Sequence, residues 1–515
     1  MEDTAMKVLL IKPPYTRLKG VGQAPYFPLG LGYVSAVLNQ DGFNACIYHA
    51  ETPHPGENTA LTDADIGFDF RSRSYRRYRQ SLGDDDHYIW QEVTRTLEGF
   101  QPDVVGISVL SVETASAFKL SRLVKGYRQQ CAVVWGGVHP SFLPDDCLKN
   151  PEVDFAVRGE GEHVMLELCR LLRRGAATPA ALSEIGGLSF KDNGRVIHNP
   201  ASAASANLDA LPFPDRHNVL YRQTIDFKSL GSMIVSRGCP FRCTFCSSRN
   251  FWDKKVRLRS PENVISEIAF LQNTYGTRHI MFWDDSFTIN RKVIERYCRS
   301  IIDSGLKISW KTATRADLID EELLDLMQRA GCVKLEIGVE SGSERIKRMI
   351  NKDVSNSDIL RAFALLRKKG IGSGAFFMAG FPEETLGDLQ ETFDFMRQLN
   401  ADELAFNIFD PMPGSSEYDK CIELGLISGT PDWNDFPLWP DAYFVKDIDR
   451  QQFDQRVEEI ARWLYAYNNS LTVRLRRSRQ HLLFLLKNDP AMLLKKTFGY
   501  LIRRLKVHRT KTNTR

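Results

Sequence analysis

Short apolar runs of strand length alternate with amphipathic stretches through most of the chain. The runs fall at residues 6–12, 45–48, 103–109, 132–135 and 153–157, and the stretches between them, such as 29–40, 113–127 and 162–173, have the length and polarity of helices. This alternation predicts a doubly wound parallel sheet over residues 1–175. A second series with a longer repeat follows residue 230, with strand-like runs at 233–236, 279–283, 308–312, 333–339, 374–378 and 404–409. Each is separated from the next by a helix-like stretch, and six such repeats predict a partial parallel barrel, an α/β architecture over 230–435. Between the two series, 176–229 holds an Ala-rich patch, a hairpin-like pair (GGLSF and GRVIH) and Pro212 and Pro214, which prevent a regular helix. It reads as a strap between two domains, and 436–515 reads as a helical C-terminal region. The Arg-, Asp- and Tyr-rich stretch 51–88 reads as an insertion with a solvated face.

In both sheet types ligands collect beyond the carboxyl ends of the strands. In the first half, the turns there are 12–15, 108–113, 136–140 and 158–162, which make Ser108, Gly136, Gly137, His139 and Glu160 candidate ligand contacts. His139 stands before Pro140 in a turn, a place that suits a loop hydrogen bond better than a metal. In the second half the strand ends carry Asp284 and Asp285, Arg315, Glu340 and Ser341, then GFPEET at 380–385 and DPMPG at 410–414. Glu336 and Glu340 both follow the alternation of their strand, so both are expected to face inward, and buried carboxylates need partners.

The chemistry concentrates in SMIVSRGCPFRCTFCSSRN, where Cys239, Cys243 and Cys246 follow a β-type run at Cys-x3-Cys-x2-Cys spacing. A closed zinc site and a plain ferredoxin cluster both take four protein ligands. Three thiolates with no fourth cysteine nearby suggest an iron–sulfur cluster with one open iron. Cys298, Cys332 and Cys421 are isolated and read as packed small hydrophobes.

Composition narrows the setting. At 515 residues, 43% apolar and 26% charged, the chain has the make-up of a soluble protein of several domains. Ten cysteines are too sparse for a disulfide framework, so a reducing compartment is expected. With neither a signal peptide nor an apolar run of membrane-spanning length, the expected location is the cytoplasm. A net charge of +4 gives no nucleic-acid footprint, and no nucleic-acid partner is expected. Charge is uneven, however: from Leu471 onward there are 13 Lys or Arg against one acid, Asp489, with Leu494, Phe498, Leu501 and Leu505 on one helical face. Two readings stay open for this tail, a peripheral contact with an anionic membrane surface and a terminal helix packed on the protein. The aromatic stretch around 436–470 likewise either caps the barrel over a substrate or packs the core.

The triplet and its flanks resemble the radical S-adenosylmethionine superfamily, and Phe245, just before the last cysteine, matches that signature. GISVLSVETA, WGGVHPSFLPDD and VDFAVRGEGE resemble the cobalamin-binding domain found upstream of many such enzymes. The resemblance covers roughly residues 6–430. It implies a Rossmann-like cobalamin-binding domain followed by a TIM-like (β/α)6 barrel, with a 4Fe-4S cluster, S-adenosylmethionine and cobalamin as cofactors. By the same resemblance, Asp284 and Asp285 take the place of the element that receives the amino group of adenosylmethionine, Arg315 reaches its carboxylate, and Glu340 with Ser341 faces its ribose. Because the Asp-x-His-x-x-Gly motif is missing, no histidine is expected beneath the cobalt. The implied partners are a small-molecule or lipid substrate and an external electron donor of flavodoxin or ferredoxin type. The implied activity is a radical methyltransferase acting on an unactivated carbon; the alternative is a radical oxidative cyclase or rearrangement enzyme of the anaerobic tetrapyrrole type.

Overall fold

The computed structural model describes residues 5–20, 26–52, 68–202, 205–222, 231–429, 431–434, 436 and 442–478. Within them, β1 (Lys7–Lys12), β2 (Asn44–His49), β3 (Val104–Ser108), β4 (Ala132–Gly136) and β5 (Phe155–Val157) pair in parallel in the order 2-1-3-4-5. Strands covered on both faces need apolar side chains on both, and Val8, Leu9, Leu10 and Ile11 are each 1% exposed or less. Val8 and Leu10 pack with helices Leu29–Gln40 and Gly161–Arg173, whereas Leu9 and Ile11 pack with Tyr88–Phe100 and Thr114–Tyr127 on the opposite face.

The hairpin assigned to the strap from sequence belongs to this sheet. β6 (Leu188–Asp192) pairs antiparallel with β5, and β7 (Arg195–His198) forms the edge, so the first domain's sheet runs on past residue 175. The reason is burial: Leu188 and Phe190 complete the core that holds Val157. In the stretch 51–88, the helix Phe68–Gly83 is packed through Tyr78 and reaches the C-terminal region, with Tyr75 Oη donating to the Phe436 carbonyl at 3.3 Å and Arg79 to that of Asn434 at 2.7 Å.

The run at 233–236 divides. β8 (Ser232–Met233) joins the second sheet, while β9 (Ser236–Arg237) turns away to pair antiparallel with β10 (Arg257–Leu258). β11 (His279–Phe282), β12 (Ser309–Thr314), β13 (Cys332–Glu340), β14 (Gly372–Ala379) and β15 (Glu403–Ile408) then follow β8 in spatial order, all parallel. Among the described residues β15 and β8 do not pair, so this is an open six-stranded barrel. The helices Pro261–Tyr275, Arg291–Asp303, Glu321–Arg329, Asn356–Lys369 and Leu386–Leu399 each start at a side-chain cap, respectively Ser260, Asn290, Asp320, Ser355 and Thr385. Leu335, Ile337 and Val339 of β13 face these helices, which turns Lys334 and Glu336 into the lumen.

Helix Arg450–Asn469 closes the β15 edge. Phe453, Val457 and Ile460 join the barrel core, and Trp463 stacks on Tyr467 at 5.2 Å, so the aromatic stripe on this helix is core packing. The Asn468 amide accepts from the Leu404 N–H at 3.1 Å and donates to the Leu404 carbonyl at 2.7 Å, satisfying an edge strand that would otherwise expose both groups. Just beyond, Arg476 and Arg477 bond the carbonyls of Asn400, Ala401 and Asp402, so the first turns of the basic tail lie on the barrel. The amphipathic face at 494–505 lies outside the described residues. No described helix is long and apolar enough to cross a membrane.

Replacing Asn468 by Leu keeps the size but leaves both Leu404 backbone groups unpartnered. The expected loss is about 2–4 kcal/mol of barrel stability, read as a lower urea midpoint; an unchanged midpoint would refute the edge-sealing role.

Candidate active site between the two sheets

The three cysteines sit on a loop whose neck is the β9–β10 ribbon. At its base Gly238 has φ +104°, and a Cβ there would stand 1.9 Å from the Lys255 carbonyl oxygen, so only glycine passes. The loop is stitched to the barrel mouth: Thr244 N donates to the Ile350 carbonyl at 3.0 Å, Thr244 Oγ1 to Glu417 at 2.8 Å, and Asn250 to the Gly414 carbonyl at 2.9 Å. Phe245 packs 6.1 Å from Phe381, in the same apolar cluster as Trp433 and Phe436. Burial raises the thiol pKa of all three cysteines, that of Cys246 to about 11, while Arg315 opposes this at Cys239 and Cys243 and Lys352 at Cys243. Lys352 was not singled out from sequence, where it is one basic residue among many; it is buried and paired with Glu340 at 3.0 Å.

The donor set fits a cluster. A closed zinc site takes four protein ligands and a 4Fe-4S cube ties each cysteine to a different iron, so three thiols on one loop suit a cube with one open iron better than a lone zinc.

The barrel-mouth candidates divide by environment. Asp284 is buried, accepts from the backbone N–H of Ser236 at 2.6 Å and of Val235 at 3.1 Å and from Ser236 Oγ, and burial pushes its pKa up to about 6. Its carboxylate is spent bracing the strand that leads into the cysteine loop, a correction to the ligand-binding role expected of it. Asp285 is exposed and lies within electrostatic reach of Cys239 and Cys246, against Gly238 and Trp252. Arg315 forks onto Asp317 at 3.0 and 3.1 Å and lies 3.7 Å over the Phe241 ring, between two of the cysteines in sequence. Glu340 sits at a β-bulge with φ +66°, and Gly338 leaves room for it: a Cβ there would stand 2.4 Å from Glu340 Oε1. Ser341 is fully buried, its hydroxyl bonded to Thr392 at 2.9 Å and to the Ser343 N–H at 3.1 Å, which makes it part of the helix framework rather than an open contact.

On the other side, a cavity of about 380 Å³ opens at the carboxyl ends of β1, β3, β4 and β5. Ser108, Gly136, Gly137 and Glu160 line it, as expected from sequence, together with Leu10, Leu110, Val134 and Met165. Barrel residues close it: Ile234, Arg237, Phe251, Trp252 and Trp283. A Cβ at Gly30 would meet no protein atom within 4 Å, so a side chain there would only fill the cavity; Gly159 is equally open but its φ of +74° favours glycine. Gly137 has φ +101° and would put a Cβ 3.0 Å from the Val109 carbonyl. A glycine-rimmed, mainly apolar slot of this kind fits a flat corrin. No histidine is among its described lining residues. His139, expected as a possible contact, lies outside it, fully buried with Nδ1 3.1 Å from Ser111 Oγ and Nε2 3.3 Å from Asp146.

A glycine-rimmed apolar slot and a three-cysteine loop thus face each other across one wall. The Radical SAM superfamily matches residues 233–396 and the B12 binding domain residues 18–169. An uncharacterized methyltransferase of Pyrococcus horikoshii is 30% identical over 453 residues, 87% of this chain and 90% of that protein. The anaerobic magnesium-protoporphyrin IX monomethyl ester cyclase of Rubrivivax gelatinosus is 30% identical over 64% of this chain and 60% of its own length. The radical S-adenosylmethionine methyltransferase TsrM of Kitasatospora setae, solved with cobalamin and a [4Fe-4S] cluster, shares the fold with a TM-score of 0.62 at 18% identity, over 88% of this chain and 85% of its own. The chain belongs to the radical SAM superfamily, in the branch that carries a B12-binding domain and includes methyltransferases and cyclases. Its cofactors are accordingly a 4Fe-4S cluster, S-adenosylmethionine and cobalamin.

Glu384, at the mouth end after β14, is fully buried. One carboxyl oxygen accepts the Gly380 N–H, the other finds no partner among the described residues, and burial pushes the pKa up to about 8 from an ordinary 4.5. Between those values the native state holds a proton that the unfolded chain has lost, so stability falls as pH rises through that window, by up to about 1.4 kcal/mol per unit. Glu384→Gln removes this slope. Its melting temperature should approach or overtake that of the wild type between pH 5 and pH 9, and parallel profiles would show the group to be ionised throughout.

Proposed function

We propose that this enzyme transfers a methyl group to an unactivated carbon of a small polar molecule held in the barrel lumen. The observation that carries the reading is the shared wall: Ile234, Trp252 and Trp283 line the corrin cavity from strands and loops that also shape the barrel mouth. A methyl donor seated there is next to the space in which a substrate carbon would be activated. When bound, the reduced cluster supplies the electron that cleaves adenosylmethionine, and cobalamin supplies the methyl group. The near full-length match to a protein named a methyltransferase supports this over cyclisation, since the cyclase match covers less of both chains.

The protein's own part is positioning. Asp285, exposed beside two cysteines, is the acid we assign to the amino group of adenosylmethionine, while Asp284 braces the strand that enters the cysteine loop. Arg315 exchanges one arm of its Asp317 pair for the carboxylate, and Glu340 faces the ribose. The lumen floor is ionic: Lys334 Nζ lies 3.0 Å from Glu336 and 2.8 Å from Glu403, and Lys311 lies 3.9 Å from Glu336. Gly374 makes room for this floor, since a Cβ there would touch the Glu336 and Lys334 side chains at 3.3 and 3.4 Å. Above it Phe376 and Trp283 remain more than a third exposed, and Tyr26, from the first domain, meets Trp283 edge-on at 4.5 Å. Charged groups below and aromatic faces beside suit a polar, ring-bearing small molecule and disfavour a lipid chain. A reduced flavodoxin or ferredoxin is the proposed electron source.

Anaerobic incubation of the reconstituted enzyme with methyl-labelled adenosylmethionine and candidate polar substrates should give 5′-deoxyadenosine and S-adenosylhomocysteine in equal amounts, with label in the product. 5′-Deoxyadenosine without S-adenosylhomocysteine would replace methylation by cyclisation or rearrangement. Lys334→Met should raise the KM for substrate about tenfold or more, the worth of one charged hydrogen bond, while substrate-free cleavage of adenosylmethionine stays at its wild-type rate. A fall in that background rate would place the floor in the cofactor site instead.

A further inference from the structure

The corrin cavity and the cysteine loop are joined by a buried ionic clasp. Arg237, the last residue of β9 and two before Cys239, has a side chain only 4% exposed. One arm of its guanidinium donates to Glu160 Oε2 at 2.5 Å and the other to Glu162 Oε1 at 2.5 Å. Directly opposite in the ribbon, Arg257 donates to the remaining Glu160 oxygen and, at 2.7 Å, to the Ser205 carbonyl of the strap. Glu160 and Glu162 bracket the start of helix Gly161–Arg173 and line the cavity, as does Arg237 itself. The clasp therefore has the corrin slot on one side and the cluster loop on the other.

We propose that Arg237 is a positioning residue that couples the two cofactor sites, so that filling the corrin cavity fixes the cluster loop and a formed cluster in turn tightens the cavity. The geometry favours transmission over slack. The two carboxylates are gripped by one planar fork, which a shift of either glutamate must rotate. At Gly238, next in the chain, the Lys255 carbonyl fills the space a side chain would take, so the two strands of the neck pack backbone to backbone. Any occupant that presses on the 159–162 turn thus moves Arg237, and with it the chain entering Cys239. Coupling of this kind is reciprocal: the factor by which corrin protects the cluster equals the factor by which the cluster raises corrin affinity.

The test measures that factor without turnover, so it does not depend on which reaction the enzyme catalyses. Hydroxocobalamin binding is titrated by absorbance against anaerobic protein with its oxidised cluster and against the same protein after chelator stripping, for wild type, Glu162→Gln and Arg237→Lys. The wild type should bind at least about fivefold more tightly with the cluster in place, the low end of ordinary coupling. Glu162→Gln removes one charge of the clasp, and Arg237→Lys keeps the cation but cannot span two carboxylates. In both the ratio should fall to near one, although each still holds its iron. Arg79→Ala, which breaks an interdomain contact that uses no residue of the ribbon or the clasp, should keep the wild-type ratio. A wild-type ratio of one, or a ratio that survives in both clasp variants, would overturn the proposal, as would its loss in Arg79→Ala.

Discussion

Everything chemical in this molecule passes through the narrow place at Gly238. The chain arrives there from β8 and β9, held by Asp284, and leaves through a loop that returns along β10 so closely that the Lys255 carbonyl occupies the space of a side chain. Three thiols hang from a loop that would otherwise be long and polar enough to wander. Closing its ends with a two-residue ribbon, and tying its far side to Ile350, Gly414 and Glu417, replaces loop entropy with a few buried hydrogen bonds. Burying thiols disfavours their charged form, so the loop needs nearby cations, and Arg315 and Lys352 supply them from the strand ends and the turn beyond them.

Asp284 and Asp285 show what the sequence does and does not disclose. From sequence the pair reads as one acidic element, yet the two carboxylates face opposite ways. The alternation of β11 continues past its end: Ile280, Phe282 and Asp284 lie on the buried side, Trp283 and Asp285 on the exposed one. That parity was available in the run HIMFWDD. The strands themselves were legible because each carries its own local apolar signal. Membership of the β6–β7 hairpin in the first sheet was not, since it depends on a distant partner in β5. The clasp was hidden for the same reason: Glu160 was picked out as a turn residue, but nothing local ties it to Arg237, 77 positions away.

An open barrel has two edges, and the structure treats them differently. The β15 edge is sealed by Asn468 and the helix that carries it. At β8 the neighbours come from the first domain and the strap: Arg216 donates to the Ser232 carbonyl at 2.7 Å and to the fully buried Glu267 at 2.7 Å, and Tyr26 packs on Trp283. Glu267 also receives Arg259, which bonds the Ile234 carbonyl. Two arginines around one buried carboxylate are costly to assemble and costlier to break. They fix the unsealed edge against the corrin domain, where a closed barrel would have put a wall of hydrogen-bonded strand.

Openness at β8 has a chemical corollary. The lumen of a closed barrel is filled by layers of side chains and admits ligands only from its mouth. Here small residues thin the lumen wall, with Ala313 and Gly374 level with Glu336 in the ionic floor and Gly338 and Ala405 one inward position above it. The open side is lined by residues that also face the corrin slot. A molecule resting on Lys334 and Glu336 would therefore be reachable from two directions, from the mouth by the group bound at the cysteine loop and from the side by the group bound over β3 and β4. The proposed sequential chemistry on one carbon would need such an arrangement, because the second reagent must approach without the first leaving its own site. A single entrance would force the two to exchange places, and the buried charges around Glu267 and Glu160 argue against a frame that moves so far.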